Sequence, residues 1–88
     1  MQWTRNNNNS KMPLRIDDKP QVFDFCIRDI ANSKLFILRS KERNEWAIIK
    51  NTASVAERVL SINRYITVAR PKTLKAAKIT YLMIGDSK

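Results

Sequence analysis

Between Arg58 and Gly85 the chain carries Arg58, Arg64, Arg70, Lys72, Lys75 and Lys78, and no Asp or Glu. Charges of one sign without internal partners raise the free energy of the folded state, and an external polyanion offsets that cost. Guanidinium and ammonium groups are also the side chains that meet phosphate oxygens, giving affinity that is independent of base sequence. Ordinary solvated surfaces mix the two signs, so an acid-free run of this length stands apart from them. Lys41 and Arg43 add two cations in a polar stretch further upstream. The expected nucleic-acid-binding set is therefore Arg58, Arg64, Arg70, Lys72, Lys75, Lys78, Lys41 and Arg43. Asn63, Arg64 and Tyr65 form a tripeptide able to hydrogen-bond and stack, but it is a weak signal of base-specific readout.

Other chemistries find little support. The chain has no His and one Cys, Cys26, so zinc sites of the usual ligand types and every Cys/His or Ser/His dyad are excluded. Glu57, Arg58, Tyr65 and Tyr81 are residue types that a histidine-free ribonuclease can use, yet no spacing among them demands a site. No catalytic residue, metal or cofactor is expected, and the protein is read as a non-enzyme. Cys26 lies on an apolar stripe, where a thiol is usually a small buried hydrophobe. A single cysteine suits a reducing compartment, so the expected location is cytoplasmic, or the host cytoplasm for a viral protein. With no long apolar run and no hydrophobic leader, neither a membrane partner nor a signal peptide is expected.

The charge is unevenly spread. The 88 residues hold 17 Lys plus Arg against 8 Asp plus Glu, a net charge of +9. Residues 1–33 contain five basic and four acidic side chains, whereas residues 34–88 contain twelve and four. The excess thus belongs to the part that folds. A chain of this length makes one domain at most and buries only about 60–65% of its unfolded surface. Residues 1–11, with the Asn6–Asn9 run, are expected to be a flexible arm, and residues 12–88 a single basic globular domain. Trp3 has no core to join unless that arm docks, which makes it a candidate partner anchor.

These charges need elements to position them. Asp18 and Pro20 can start a helix in which Val22, Phe23, Cys26, Ile27 and Ile30 share one arc and Phe25 falls off it. The alternation of Phe23, Phe25 and Ile27 is the competing strand signal. Leu35–Leu38 and Trp46–Ile49, apolar on both faces and separated by polar residues, form a hairpin covered from two sides, or from one side with the other face used for contacts, with Lys41 and Arg43 at its tip; Trp46 is read as core, with exposed base stacking as the lesser reading. Ser54 and Glu57 make a capping box. Val55, Val59, Ile62, Ile66 and Ala69 then recur at four, three, four and three, predicting a helix over about 53–69 that Pro71 ends. Thr73 can cap a last helix whose stripe is Leu74, Ala77, Tyr81 and Ile84, with Ile79–Ile84 also suiting a strand.

The expected architecture is α+β, a β-hairpin packed on about three helices in the order α-β-β-α-α. In it Arg70 and Lys72 occupy a helical corner and Lys75 and Lys78 project from its second helix. A winged helix would place its wing after the recognition helix. A double-stranded-RNA-binding arrangement would need Tyr65–Ala69 as a third strand, which splits the Val55 stripe. The expected function is a small nucleic-acid-binding accessory or regulatory protein, for DNA or RNA, acting mainly through phosphate contacts. The alternative is an inhibitor or adaptor of the phage or plasmid type that binds an acidic surface of a larger host protein. The Val55 stripe also offers a seam for a homodimer.

Overall fold

The computed structural model describes residues 3–7, 13–32, 34–40 and 45–86. Its strands are β1 (Trp3–Asn7), β2 (Leu14–Ile16), β3 (Lys19–Gln21), β4 (Phe25–Asp29), β5 (Leu35–Ser40), β6 (Glu45–Asn51) and β7 (Tyr65–Ala69). Two helices, α1 (Val55–Val59) and α2 (Leu74–Asp86), flank β7. The strands join in one sheet of order β1-β4-β5-β6-β7-β2-β3, antiparallel except for β2 against β7. The predicted hairpin on three helices is therefore wrong: the protein is a seven-stranded mixed sheet with one long and one short helix.

The sheet must curl. Between β3 and β4 the chain has only Val22, Phe23 and Asp24, so the gap from Gln21 to Phe25 is at most about 14 Å. In a flat sheet of this strand order β3 would lie five strand spacings, about 24 Å, from β4. The sheet closes the difference by bending into a half-closed barrel, and Asp24 N–H donates to the Arg39 carbonyl where the chain arrives. Between Ile48 and Ile49 the pairing with β7 slips by one residue, a bulge of the kind that strengthens twist. The β2–β3 turn is tight. Asp17 and Asp18 both have positive φ, 53° and 61°, which matches a two-residue primed hairpin turn, and Asp is among the few residues that tolerate it. Pro20 then sits on the edge strand, where a missing N–H costs no ladder bond.

Bending separates two cores. Inside the curl Ile16, Phe23, Leu38, Ala47 and Ile49 pack together, with Leu14, Cys26, Phe36 and Tyr65 around them. On the outer face Ile27, Leu35, Ile37 and Ile48 receive Ala77 and Tyr81 of α2, flanked by Leu74 and Ile84. This is the stripe predicted for the last helix, and Thr73 Oγ1 accepts from Ala76 N–H at its start. Burial on both faces explains the apolar runs Leu35–Leu38 of β5 and Trp46–Ile49 of β6.

Two predicted helices are overturned. The one from Asp18 to Ile30 gives way to β3 and β4, because Phe25–Asp29 finds backbone partners on both sides, β1 and β5. The one over 53–69 stops after Val59. Its capping box is present, but Leu60 is its C-cap and Ser61 turns left-handed at φ 62°. Tyr-Ile-Thr-Val then prefers an extended backbone and pairs with β6. As a result the predicted apolar stripe is exposed, with Val55 and Val59 at 69% and 77%. Residues 3–7 of the expected arm form β1, and Trp3 packs edge-on against Tyr81 at 5.1 Å. The rest of that arm lies outside the described residues.

Ser61 offers a direct check. In the left-handed region a β-branched side chain clashes with its own carbonyl, so Ser61→Val is expected to lower stability by about 1–2 kcal/mol. In a helix spanning 53–69 the same change would be nearly neutral. Urea unfolding monitored by circular dichroism separates the two.

Candidate nucleic-acid interface

β7 and its flanks decide where the predicted cations go. Arg64 and Arg70 stand at opposite ends of this strand, six residues and so about 20 Å apart in an extended chain. Arg64 is thereby carried away from the basic corner expected at Arg70, Lys72, Lys75 and Lys78.

At the Arg64 end the charge is already matched. Arg64 Nε donates to Glu57 Oε2 at 2.6 Å, and Glu57 Oε1 accepts from Ser54 N–H at 3.1 Å, completing the capping box. The hydrogen bond from Arg64, followed by that from the Ser54 backbone, holds the Glu57 carboxyl below its usual range, and Glu57 in turn raises Arg64. Arg58, on α1, is half-buried. Lys41 and Arg43 lie outside the described residues.

At the other end Arg70, Pro71 and Lys72 connect β7 to α2 and, with Glu45 and Trp46, line a groove of about 280 Å³. Trp46 does not stand alone in it. Cross-strand register places Phe25 opposite Arg39 and Arg39 opposite Trp46, on the outer face of the sheet. The Arg39 guanidinium lies 5.5 Å from the centre of the Trp46 ring, within cation–π range, and the Phe25 ring meets Trp46 edge-on at 6.4 Å. Arg39 Nε is buried without a hydrogen-bond partner among the described residues. Arg5 of β1 continues the row over Phe25 at 5.9 Å. Aromatic and cationic side chains thus alternate across β1, β4, β5 and β6 and end at the groove.

Lys75 is exposed on α2, and Lys78 places its ammonium 5.4 Å from the Trp3 ring centre, where it also helps hold β1 against the helix. Asp17 is an acid that feels the Arg70 charge. Its carboxylate accepts from Thr67 N–H at 3.0 Å, and that bonding, with smaller help from the Arg70 and Lys19 charges, lowers its pKa. The described ion pairs join Arg64 to Glu57 and Arg15 to Asp18, so neither engages Arg70, Lys72, Lys75 or Lys78.

The acid–base residue types considered for catalysis are dispersed. Tyr65 faces the inside of the curl against Phe36, while Tyr81 lies under α2 on the opposite face. Burial raises both phenols, and the Cys26 thiol as well. Groups so shifted are protonated at neutral pH. No group of three or more His, Cys, Asp or Glu able to hold a metal occurs among the described residues.

Sequence reasoning placed Arg70 and Lys72 in the candidate set and held base stacking by Trp46 only as the lesser reading, but missed Arg5, Phe25 and Arg39. The signal was available in part. Extending the predicted hairpin by one residue sets Arg39 opposite Trp46, and Phe25 was the residue that did not fit its helical arc. Compared with protein-family models, with curated proteins and with solved structures, the chain shows no significant match.

Proposed function

We propose that this protein binds nucleic acid, chiefly through phosphate contacts, and acts as an accessory or regulatory factor. One observation carries the reading: Arg70 and Lys72 share a groove with Trp46, whose ring is stacked by a third cation, Arg39. Stacking restrains the guanidinium, so less side-chain entropy is lost when it meets a phosphate. Lys75, the exposed second residue of α2, adds to the positive charge that Arg70 and Lys72 supply. Arg64 contributes little, because Glu57 already neutralises it.

Neutralising about four phosphates gives a slope of log affinity against log salt of roughly −3.6 on duplex DNA or −2.8 on a single strand. Replacing Arg70, Lys72 and Lys75 together by Ala is expected to weaken binding about equally across base sequences and to flatten that slope by about 2–3. Arg64→Ala should leave both nearly unchanged. Absence of binding to any nucleic acid at low salt overturns the reading. Recovery of one acidic protein from extract, insensitive to nuclease, points instead to the adaptor.

A further inference from the structure

Resting on that reading, we infer that the nucleic acid taken at this site is single-stranded, with one base stacked on Trp46 inside the groove and its phosphates on Arg70, Lys72 and Arg39. Three observations converge on it. The first is shape. Reading base edges in duplex DNA takes a convex element, a helix or a two-stranded ribbon, that enters the major groove, whereas phosphate contacts alone need none. Here the cations surround a concavity, whose 280 Å³ falls near the about 300 Å³ lower end for small-ligand sites and so takes one nucleotide-sized unit at a time.

The second is the lining. An aromatic ring in a basic groove is sequence-tolerant machinery for an unstacked base, since every base has a π face. In a duplex those faces are occupied by neighbouring base pairs. The third is Glu45, which lines the same groove. A carboxylate there repels phosphate and is compatible with a base, whose exocyclic amino groups it can accept from. The polar and apolar lining thus divides the ligand, base inward and phosphate outward to Arg70 and Lys72. The aromatic–cation row through Arg39, Phe25 and Arg5 marks the direction in which the strand continues over the sheet.

The test uses the full chain carrying Trp3→Phe, which leaves Trp46 as the only tryptophan. Twelve-nucleotide oligo-dT and oligo-U, a twelve-base-pair DNA duplex and inorganic polyphosphate are titrated at low salt. Both single strands, or whichever sugar the site accepts, should quench Trp46 fluorescence, while polyphosphate should bind without comparable quenching. By anisotropy of labelled oligonucleotide, Trp46→Ala should weaken single-strand binding about tenfold, within the range for one stacked base, and weaken polyphosphate binding far less, through the loss of the Arg39 stacking partner alone. Trp46→Phe, which keeps a ring on β6, should recover most of the loss and guards against a folding artefact.

Duplex binding at least as tight as single-strand binding, with no dependence on Trp46, overturns the inference while the nucleic-acid reading stands. Equal losses on oligonucleotide and polyphosphate in Trp46→Ala also overturn it. If none of the nucleic acids binds, both fall.

Discussion

Tyr81→Ala is expected to destabilise the protein by about 3–5 kcal/mol, the usual cost of removing a large aromatic side chain from a core. Tyr81 is 1% exposed and belongs to the outer-face core with Ile27, Leu35, Ile37, Ile48 and Ala77. It is also the ring against which Trp3 of β1 packs. Its hydroxyl does a second job, donating to the Leu35 carbonyl at 3.0 Å and accepting from Asp29 N–H at 3.0 Å. That one oxygen ties α2 to the ends of β4 and β5. For 88 residues a total stability of about 4–13 kcal/mol is typical, so the alanine variant loses a large share of it and is largely unfolded where the total lies at the low end. Tyr81→Phe keeps the ring and removes the hydroxyl, leaving the buried Leu35 carbonyl without its donor. Its expected cost is about 1–3 kcal/mol, which in a domain of this size moves the melting temperature by about 4–8 °C per kcal/mol. Urea unfolding should show a lower midpoint at an unchanged slope. Equal stabilities for Tyr81→Phe and wild type would mean that the two hydrogen bonds are not formed.

Tyr81 was legible in the sequence because α2 is a local object. Its apolar stripe repeats at helical spacing and Thr73 caps it, and these outweigh the strand propensity of Ile79–Ile84. The β5–β6 hairpin was legible for a similar reason: two apolar runs close in sequence have an obvious partner in each other. Failure came where the partner is distant. Tyr65–Ala69 is a strand because β6 and β2 lie beside it, and β2 is some fifty residues away. Nothing within a window around residue 65 records that neighbour, whereas the Val55–Ala69 spacing does record a helical stripe. Long-range pairing and the left-handed turn at Ser61 outweighed it. The same logic divides the site. Arg70 and Lys72 stand out as charge, which composition reveals, while Arg39 on Trp46 is a product of register. The pairing of Arg64 with Glu57 was not legible because the two are seven residues apart, about 10 Å along a helix and further along a strand.

Asn51→Ala is the change that tests how β7 is held, and its expected cost is about 2–4 kcal/mol. Asn51 ends β6 with a side chain only 6% exposed. Its Oδ1 accepts from Ala53 N–H at 3.1 Å and from Arg64 N–H at 3.2 Å, and its Nδ2 donates to Asn63 Oδ1 at 3.0 Å. One amide thus closes the segment from 51 to 64 that carries α1, and fixes where β7 begins. Alanine fills none of these roles, and Ala53 N–H is left in a buried site where water cannot replace the lost acceptor. Asn63→Ala removes a single exposed partner of the same network and should cost no more than about 1 kcal/mol. The contrast between the two variants, measured by urea unfolding, isolates the buried amide from the loop it serves. The Arg70–Trp46 groove lies beyond the far end of β7, about 20 Å away along the strand. Changes that far apart with no shared partners act independently, so the folded fraction of Asn51→Ala should bind oligonucleotide with unaltered affinity. A loss of affinity exceeding the loss of folded protein would mean that the α1 end of β7, with Arg58 and Arg64, belongs to the interface after all.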